Sequence, residues 1–94
     1  MNGAVTRTKG AALLRAFFRQ HPGVSQAQFA AWVEVKQPTV SAWLRETTRP
    51  EGYRRTAIKL VAAIPPTSWD TPEERAVLVR VRRRVRRAHG SLAA

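Results

Sequence analysis

The chain has 94 residues, the size of a single small domain, and 44% of them are hydrophobic, which is enough for a packed core. It contains no cysteine, so disulfide bridges, thiolate metal sites and cysteine nucleophiles are excluded. The formal net charge is +11, from 17 lysines and arginines against six acidic residues, and this excess indicates a polyanionic partner such as nucleic acid or an anionic membrane surface.

Other common classes of site are disfavoured by the sequence. No apolar run has the length of a membrane span, and no signal-peptide segment follows Met1, so we expect a cytoplasmic protein that does not cross a membrane. His21 and His89 are far apart in the sequence, so we expect no metal site. No catalytic or cofactor motif is present, and an enzyme is therefore the weakest interpretation.

A first helix is predicted over residues 8–20, where apolar residues recur at helical spacing, and Pro22 and Gly23 close it. Its predicted buried stripe consists of Ala12, Leu13, Ala16 and Phe17.

A second helix is predicted to begin at Ser25. Ser25 and Gln28 have the spacing of a capping box, in which each side chain accepts a hydrogen bond from the other residue's backbone N–H. A third helix follows a break at Glu34 and Val35, with Pro38 in its first turn, where a missing N–H costs little. The predicted inward residues of these two helices are Phe29, Ala30, Val33, Val40, Trp43 and Leu44.

A fourth helix is predicted over about residues 53–63, and Pro65 and Pro66 end it. A single turn should then tuck Trp69 under the core. The predicted inward residues of the fourth helix are Tyr53, Ala57, Leu60, Val61 and Ile64.

The fifth helix begins at Thr71, which is followed by a proline and two acids, and is predicted to run to about Ala88 with Gly90 as its stop. Helix capping explains the acids Asp70, Glu73 and Glu74 better than a metal or general-acid cluster does. No segment alternates between apolar and polar residues, so we expect an all-α, compact bundle of about five helices. Residues 1–70 should form a helix-turn-helix domain, and residues 71–94 a basic helix with a short tail.

Residues 25–50 resemble the phage repressor/Cro-like (XRE-type) helix-turn-helix family. The matching residues are Ser25-Gln26, Phe29-Ala30, Val35, Val40, Trp43 and Pro50. Every spacing holds without a gap, and the resemblance extends over roughly residues 8–70. There are two departures. Glu34 stands where the family often has a glycine with a left-handed backbone, at a cost of ~1 kcal/mol, and Leu44 stands at a position that is acidic in the family.

The resemblance implies a module whose third helix enters the major groove of double-stranded DNA. The positions implied to read base edges are Gln37, Pro38, Thr39 and Ala42. Those implied to lie near the DNA backbone are Gln26, Lys36, Ser41, Arg45 and Arg49. Each has a plainer interpretation, because Gln37 can be a solvated residue, Pro38 a helix initiator and Thr39 a local cap. The basic residues expected at phosphates on charge alone are Arg7, Lys9, Arg82, Arg83 and Arg86.

The last helix also has an apolar seam, formed by Leu78, Val81, Val85 and Ala88 at intervals of three and four. With Leu78 at heptad position a, Arg82 and Arg84 flank the seam with no acid to oppose them. We therefore expect the seam to pack on the domain or on a two-fold mate; a solvated, fraying helix and a lipid-surface helix are alternatives. Trp32, at a family position that usually faces solvent, is a candidate partner contact.

The predicted function is that of a transcriptional regulator, a repressor of bacterial or phage type. It would bind an inverted-repeat operator as a homodimer, associated with the nucleoid in a bacterial cell, with no cofactor and no small-molecule substrate. One alternative is an antitoxin-like or adaptor module whose basic helix contacts a partner, or nucleic acid without specificity. Another is an architectural or RNA-binding protein that acts through charge alone.

Overall fold

The computed structural model describes residues 7–93, with side chains over residues 7–90. All regular structure in this range is helical, and no strand occurs within it, so the predicted all-α fold is confirmed. The elements are α1 (Lys9–Gln20), α2 (Gln26–Trp32), α3 (Gln37–Leu44), α4 (Tyr53–Ala62), a 3₁₀ turn (Pro66–Trp69) and α5 (Pro72–Ala93).

Hydroxyl side chains cap the starts of α1, α2 and α5. The Ser25 hydroxyl accepts a hydrogen bond from the Gln28 N–H at 3.0 Å, although among the described side chains only this half of the predicted reciprocal pair is formed. The fully reciprocal pair lies at α5, where Glu74 accepts from the Thr71 N–H at 2.8 Å and Thr71 accepts from the Glu74 N–H at 3.2 Å. Thr8 caps α1 at 3.3 Å. These bonds satisfy N–H groups that the helices leave unpaired, and they confirm the predicted starts.

The core centres on two tryptophans and a phenylalanine. Trp43 and Trp69 have ring centroids 6.4 Å apart and are both buried. Phe29 packs against Phe17 and Phe18 at centroid distances of 5.6 and 5.4 Å. The other buried hydrophobic residues are Ala11, Leu14, Ala30, Val33, Val40, Ile58 and Ile64. The predicted inward faces of α2 and α3 are thus in the core, which fixes the two helices against each other.

α1 buries a different face from the predicted one. The structure buries Gly10, Ala11 and Leu14, whereas Leu13 of the predicted stripe is 42% exposed. The ring of Trp69 lies so close to Gly10 that an added Cβ would be 2.3 Å from it. Because this segment is apolar around most of the helix, spacing alone does not select a face, and the fit to Trp69 does.

The predicted inward face of α4 is partly wrong. Tyr53 and Leu60 are 71% and 82% exposed, whereas Ile58 is fully buried with Ala57 and Val61 packed beside it. Tyr53 and Leu60 are seven residues apart and share one side of the helix, which is roughly opposite to Ile58 at about 100° per residue. Only the stripe around Ile58 meets the core, so this second apolar stripe stays in solvent.

α5 projects from the helical body, and every residue from Ala76 to Gly90 is exposed, although Leu78, Val79 and Arg82 still line a groove together with Lys9, Pro65 and Ser68. The radius of gyration is 16.4 Å, against about 12 Å for a compact domain of this length. The predicted packing of the seam onto the domain is therefore wrong for Val81 and Val85, since only Leu78 borders the body, and packing on a two-fold mate stays a prediction. Closer packing on the domain would bring the flanking arginines against a body that is itself basic. Gly90 does not stop the helix, because one interior glycine costs only about 1 kcal/mol.

Candidate nucleic-acid interface

The turn between α2 and α3 has a left-handed residue at Glu34, with φ of +58°. The Val35 N–H donates to the Ala30 carbonyl at 2.9 Å, and the Glu34 N–H donates to the Ala31 carbonyl at 3.3 Å. These two bonds form a Schellman motif, which satisfies carbonyls at the end of α2. The expected left-handed turn is thus present with glutamate in the glycine position, and it fixes where α3 starts.

A second left-handed glutamate ends α3. Glu46 has φ of +62°, its N–H donates to the Trp43 carbonyl at 3.1 Å, and the Thr47 N–H donates to the Ala42 carbonyl at 3.1 Å. The sequence did not predict this second motif, because no glycine marks the position. Both helices of the pair therefore have C-terminal ends closed by backbone hydrogen bonds, which limits fraying at the end of α3.

The outer face of α3 is open to solvent. Val40 and Trp43 on its inner side are 0% and 2% exposed, so the core holds the helix by one face only. All the predicted base-reading side chains are accessible: Gln37 and Pro38 are exposed, and Thr39 and Ala42 are half-buried.

Gln37 and Gln26 are joined by a side-chain hydrogen bond at the start of the two helices. Gln37 Nε2 donates to Gln26 Oε1 at 2.9 Å. An amide side chain has two N–H donors and a carbonyl acceptor, so Gln37 keeps one N–H and its oxygen for another partner. Gln26 keeps its own N–H donors, which lie at the N-terminus of α2, where anions are favoured.

Further polar groups lie along the same side of the molecule. Arg45 donates to the Ser41 hydroxyl at 2.7 Å, which orients the guanidinium along α3.

Lys36 and Thr39 line a surface groove together with Arg54, a residue that the sequence analysis missed. Arg54 is exposed, and its guanidinium carbon is 5.4 Å from the centre of the Tyr53 ring. The sequence could have indicated Arg54 as a candidate, because it is a basic residue shortly after the break at Pro50.

Arg49, which was predicted to lie at the DNA backbone, is held by an ion pair and a hydrogen bond within the protein. Its guanidinium makes a two-pronged ion pair with Glu74, with one N–O distance of 2.7 Å, and donates to the Trp69 carbonyl at 3.0 Å. Hydrogen bonds from the Arg49 side chain and from the Thr71 N–H hold the pKa of Glu74 at about 2. We therefore correct the assignment of Arg49 to a structural link between the segment after α3 and α5.

The remaining predicted residues lie in two places. Arg7 and Lys9 are exposed and line one groove with Glu46, the residue that ends α3. Arg82, Arg83 and Arg86 are exposed on α5. The predicted partner contacts are also accessible: Trp32 is 48% exposed, Leu78 38%, Val81 40% and Val85 44%.

Comparison of the chain with models of protein families, with curated proteins and with solved structures finds no match. Among the described helices, none has the length and apolar character needed to span a membrane. Within the same part of the chain, no three acidic or histidine side chains are grouped as a metal site would require. The function therefore has to be argued from the geometry of α2 and α3.

Proposed function

We propose that this chain is a sequence-specific DNA-binding regulator of transcription, a repressor that places α3 in the major groove of an operator. Two copies would bind as a homodimer, with their recognition helices about one helical turn of DNA apart. The protein would act in the cytoplasm, associated with the nucleoid of a bacterial cell. Its binding to the operator would exclude the polymerase.

The observation that carries this proposal is the hydrogen-bonded Gln26–Gln37 pair on the open end of α3. A glutamine reads adenine by donating to N7 and accepting from N6, which requires one free N–H and the free oxygen. Gln37 retains both of these groups while its contact with Gln26 limits its rotation. A side chain held in this way loses less entropy on binding, which favours discrimination between bases.

Neighbouring groups supply the other contacts that such a complex needs. Thr39 and Ala42 present methyl groups to the groove, where thymine has its own methyl group. The groups proposed at phosphates are Gln26, Lys36, Ser41, Arg45, Arg54, Arg7, Lys9, Arg82, Arg83 and Arg86. They give affinity but little sequence preference, because phosphates are the same at every base pair.

The test begins with selection of bound duplexes from a random pool by the full chain at about 150 mM salt, where non-specific binding is weak. A two-fold symmetric consensus is expected. Gln37→Ala should then weaken binding to this consensus by ~1–3 kcal/mol and relax the preference at one base pair in each half-site. Gln20→Ala, an exposed glutamine at the end of α1, is the matched control and should change neither.

The same experiment separates the rival functions. If Gln37→Ala and Thr39→Ala leave affinity and preference unchanged, the chain binds nucleic acid through charge alone. If the chain enriches no sequence, the protein-interaction function becomes the better one, and the exposed α5 and Trp32 favour it independently.

A further inference from the structure

α5 carries a row of arginines with no acidic partner in the part of the chain that the structure describes. Six arginines lie between residues 80 and 87, and the three ion pairs of residues 7–90 involve other arginines. The apolar seam of Leu78, Val81 and Val85 lies among them and is 38–44% exposed. The helix thus has an exposed apolar stripe beside a dense positive charge, and within the described residues neither is covered or neutralised by the protein itself.

These features make α5 a poor helix in isolation. Like charges repel at spacings of four, as for Arg80 with Arg84, Arg82 with Arg86 and Arg83 with Arg87. Valine also has low helix propensity, and helices gain most of their stability from packing of an apolar face. A partner that covers the seam and neutralises the arginines would stabilise the helical state.

We infer that α5 is a docking helix for a partner protein, which contributes an amphipathic helix with an apolar seam flanked by glutamate or aspartate. With Leu78 at position a, the seam continues through Val81 at d and Val85 at a, and Arg82 and Arg84 occupy e and g. In coiled coils the e and g charges select the partner, so arginines at these positions select acids.

An anionic lipid surface is disfavoured because the apolar side of α5 carries no aromatic residue. A second copy of this helix and DNA are also disfavoured, because each covers only the apolar seam or only the arginines. A second copy of α5 would cover the seam, but it would bring arginines against arginines in either orientation. DNA would neutralise the arginines, but it would leave the leucine and valine side chains in water or against phosphates. An acidic amphipathic helix satisfies both features at once.

Docking has a consequence that rests on the proposed function. Arg82, at position e beside the seam, cannot pair with a partner acid and with a DNA phosphate at the same time. An acidic partner would therefore weaken DNA binding through α5 while leaving α3 free, which would give the chain a means of regulation.

The probe is a fluorescent peptide about four heptads long, with Ile at a, Leu at d and Glu at e and g. Its own glutamates oppose self-pairing at neutral pH. One control peptide has Lys at e and g, and a second keeps the Glu residues but has Ser at a and d. Fluorescence anisotropy with the full chain at about 150 mM salt should show the first peptide binding at least ~10-fold more tightly than either control.

Variants of the chain locate the binding to the seam. Val81→Gln with Val85→Gln should weaken peptide binding at least ~10-fold, whereas Arg83→Gln, at position f on the back of the helix, should change it less than ~3-fold. These side chains lie outside the core, so the folded body is retained and the melting temperature provides the check. Gln37→Ala should not affect peptide binding.

Three results would overturn the inference. The first is no binding of the acidic, apolar peptide. The second is equal binding of the peptide without a seam, which would make α5 a general polyanion site that DNA could fill. The third is a self-associated chain that Val81→Gln dissociates, which would identify a second copy as the occupant. Peptide binding without operator binding would refute only the proposed function, and the reverse result would refute only this inference.

Discussion

Glu34 and Glu46 hold the left-handed backbone conformation, with φ of +58° and +62°. This conformation brings Cβ of an L-residue too close to the following carbonyl oxygen, at a cost of roughly 1–2 kcal/mol. Each glutamate also places a carboxylate just beyond the C-terminus of a helix, where negative charge is unfavourable. The core packing of Val33, Val35 and Trp43 holds both turns in place in spite of these costs.

Glu34→Gly should stabilise the protein. Relief of the steric cost outweighs the extra freedom of glycine in the unfolded chain, about 0.5–1 kcal/mol, so a net gain of ~0.5–1 kcal/mol is expected. Urea unfolding measures it directly. Glu34→Ala is the control, because it removes the carboxylate and keeps the Cβ. Equal stabilisation by both variants would attribute the effect to charge and contradict the backbone explanation.

The two glutamates also mark how far sequence reasoning reaches at single residues. Glu34 could be placed in a left-handed turn because the family resemblance carried by Phe29, Ala30 and Val35 implies such a turn at this position. Glu46 has no such flanking signal, since threonines follow it and the next proline is Pro50. A helix end without glycine is visible only once the hydrogen bonds are known.

At the level of elements, α5 is tied to the rest of the molecule by its first turn. Arg49 bonds Glu74, and Arg55 bonds Asp70 at 2.7 Å, so two arginines from beyond α3 hold the acids that precede and begin α5. Arg75 donates to the Asp70 carbonyl at 3.1 Å. These two ion pairs therefore hold the start of α5 against the segment that follows α3.

Stability should depend on the charge of Glu74 in acid. Its pKa is lowered from 4.5 to about 2 in the folded protein, so its contribution is fully present above pH 4.5 and is lost as the pH falls towards 2. Glu74→Gln should therefore flatten the fall in unfolding free energy over this window, as measured by urea unfolding at a series of pH values. Glu73→Gln, at an exposed position that makes neither hydrogen bond, should leave the fall unchanged. An identical acid dependence in Glu74→Gln and the unaltered chain would contradict the role of the pair.

The limits of the sequence at this scale have a common physical cause. Caps and prolines are local signals, and they located the starts of α2, α3 and α5. The buried faces of α1 and α4 depend on distant contacts, such as Trp69 against Gly10, and both helices carry more apolar residues than one face needs. Likewise, the net charge does not show which arginines form ion pairs within the protein, so Arg49 and Arg55 could not be distinguished from the arginines that are exposed to solvent.

Over the whole molecule, charge and base reading are separated along the chain. The open face of α3 carries an amide, a proline and small side chains, whereas the densest positive charge lies on α5, which projects from the helical body. The whole molecule, including α5, is 55 Å long. In the proposed complex, α3 would supply discrimination and α5 would supply salt-dependent attraction. These two contributions respond differently to mutation, so they can be measured separately.

Replacing Arg82, Arg83 and Arg86 with glutamine should therefore change the salt dependence of DNA binding and leave its sequence preference intact. Each phosphate contact contributes about 0.9 to the slope of log K against log salt, so the slope should become shallower by roughly 2–3. The measurement is anisotropy with the selected consensus and with a shuffled duplex between about 50 and 200 mM salt. Gln37→Ala should give the opposite result. The ratio of the binding constants for the consensus and shuffled duplexes should fall, and the salt dependence of binding should stay the same. An unchanged slope in the triple variant would remove α5 from the DNA interface, and would leave its arginines to the acidic partner alone.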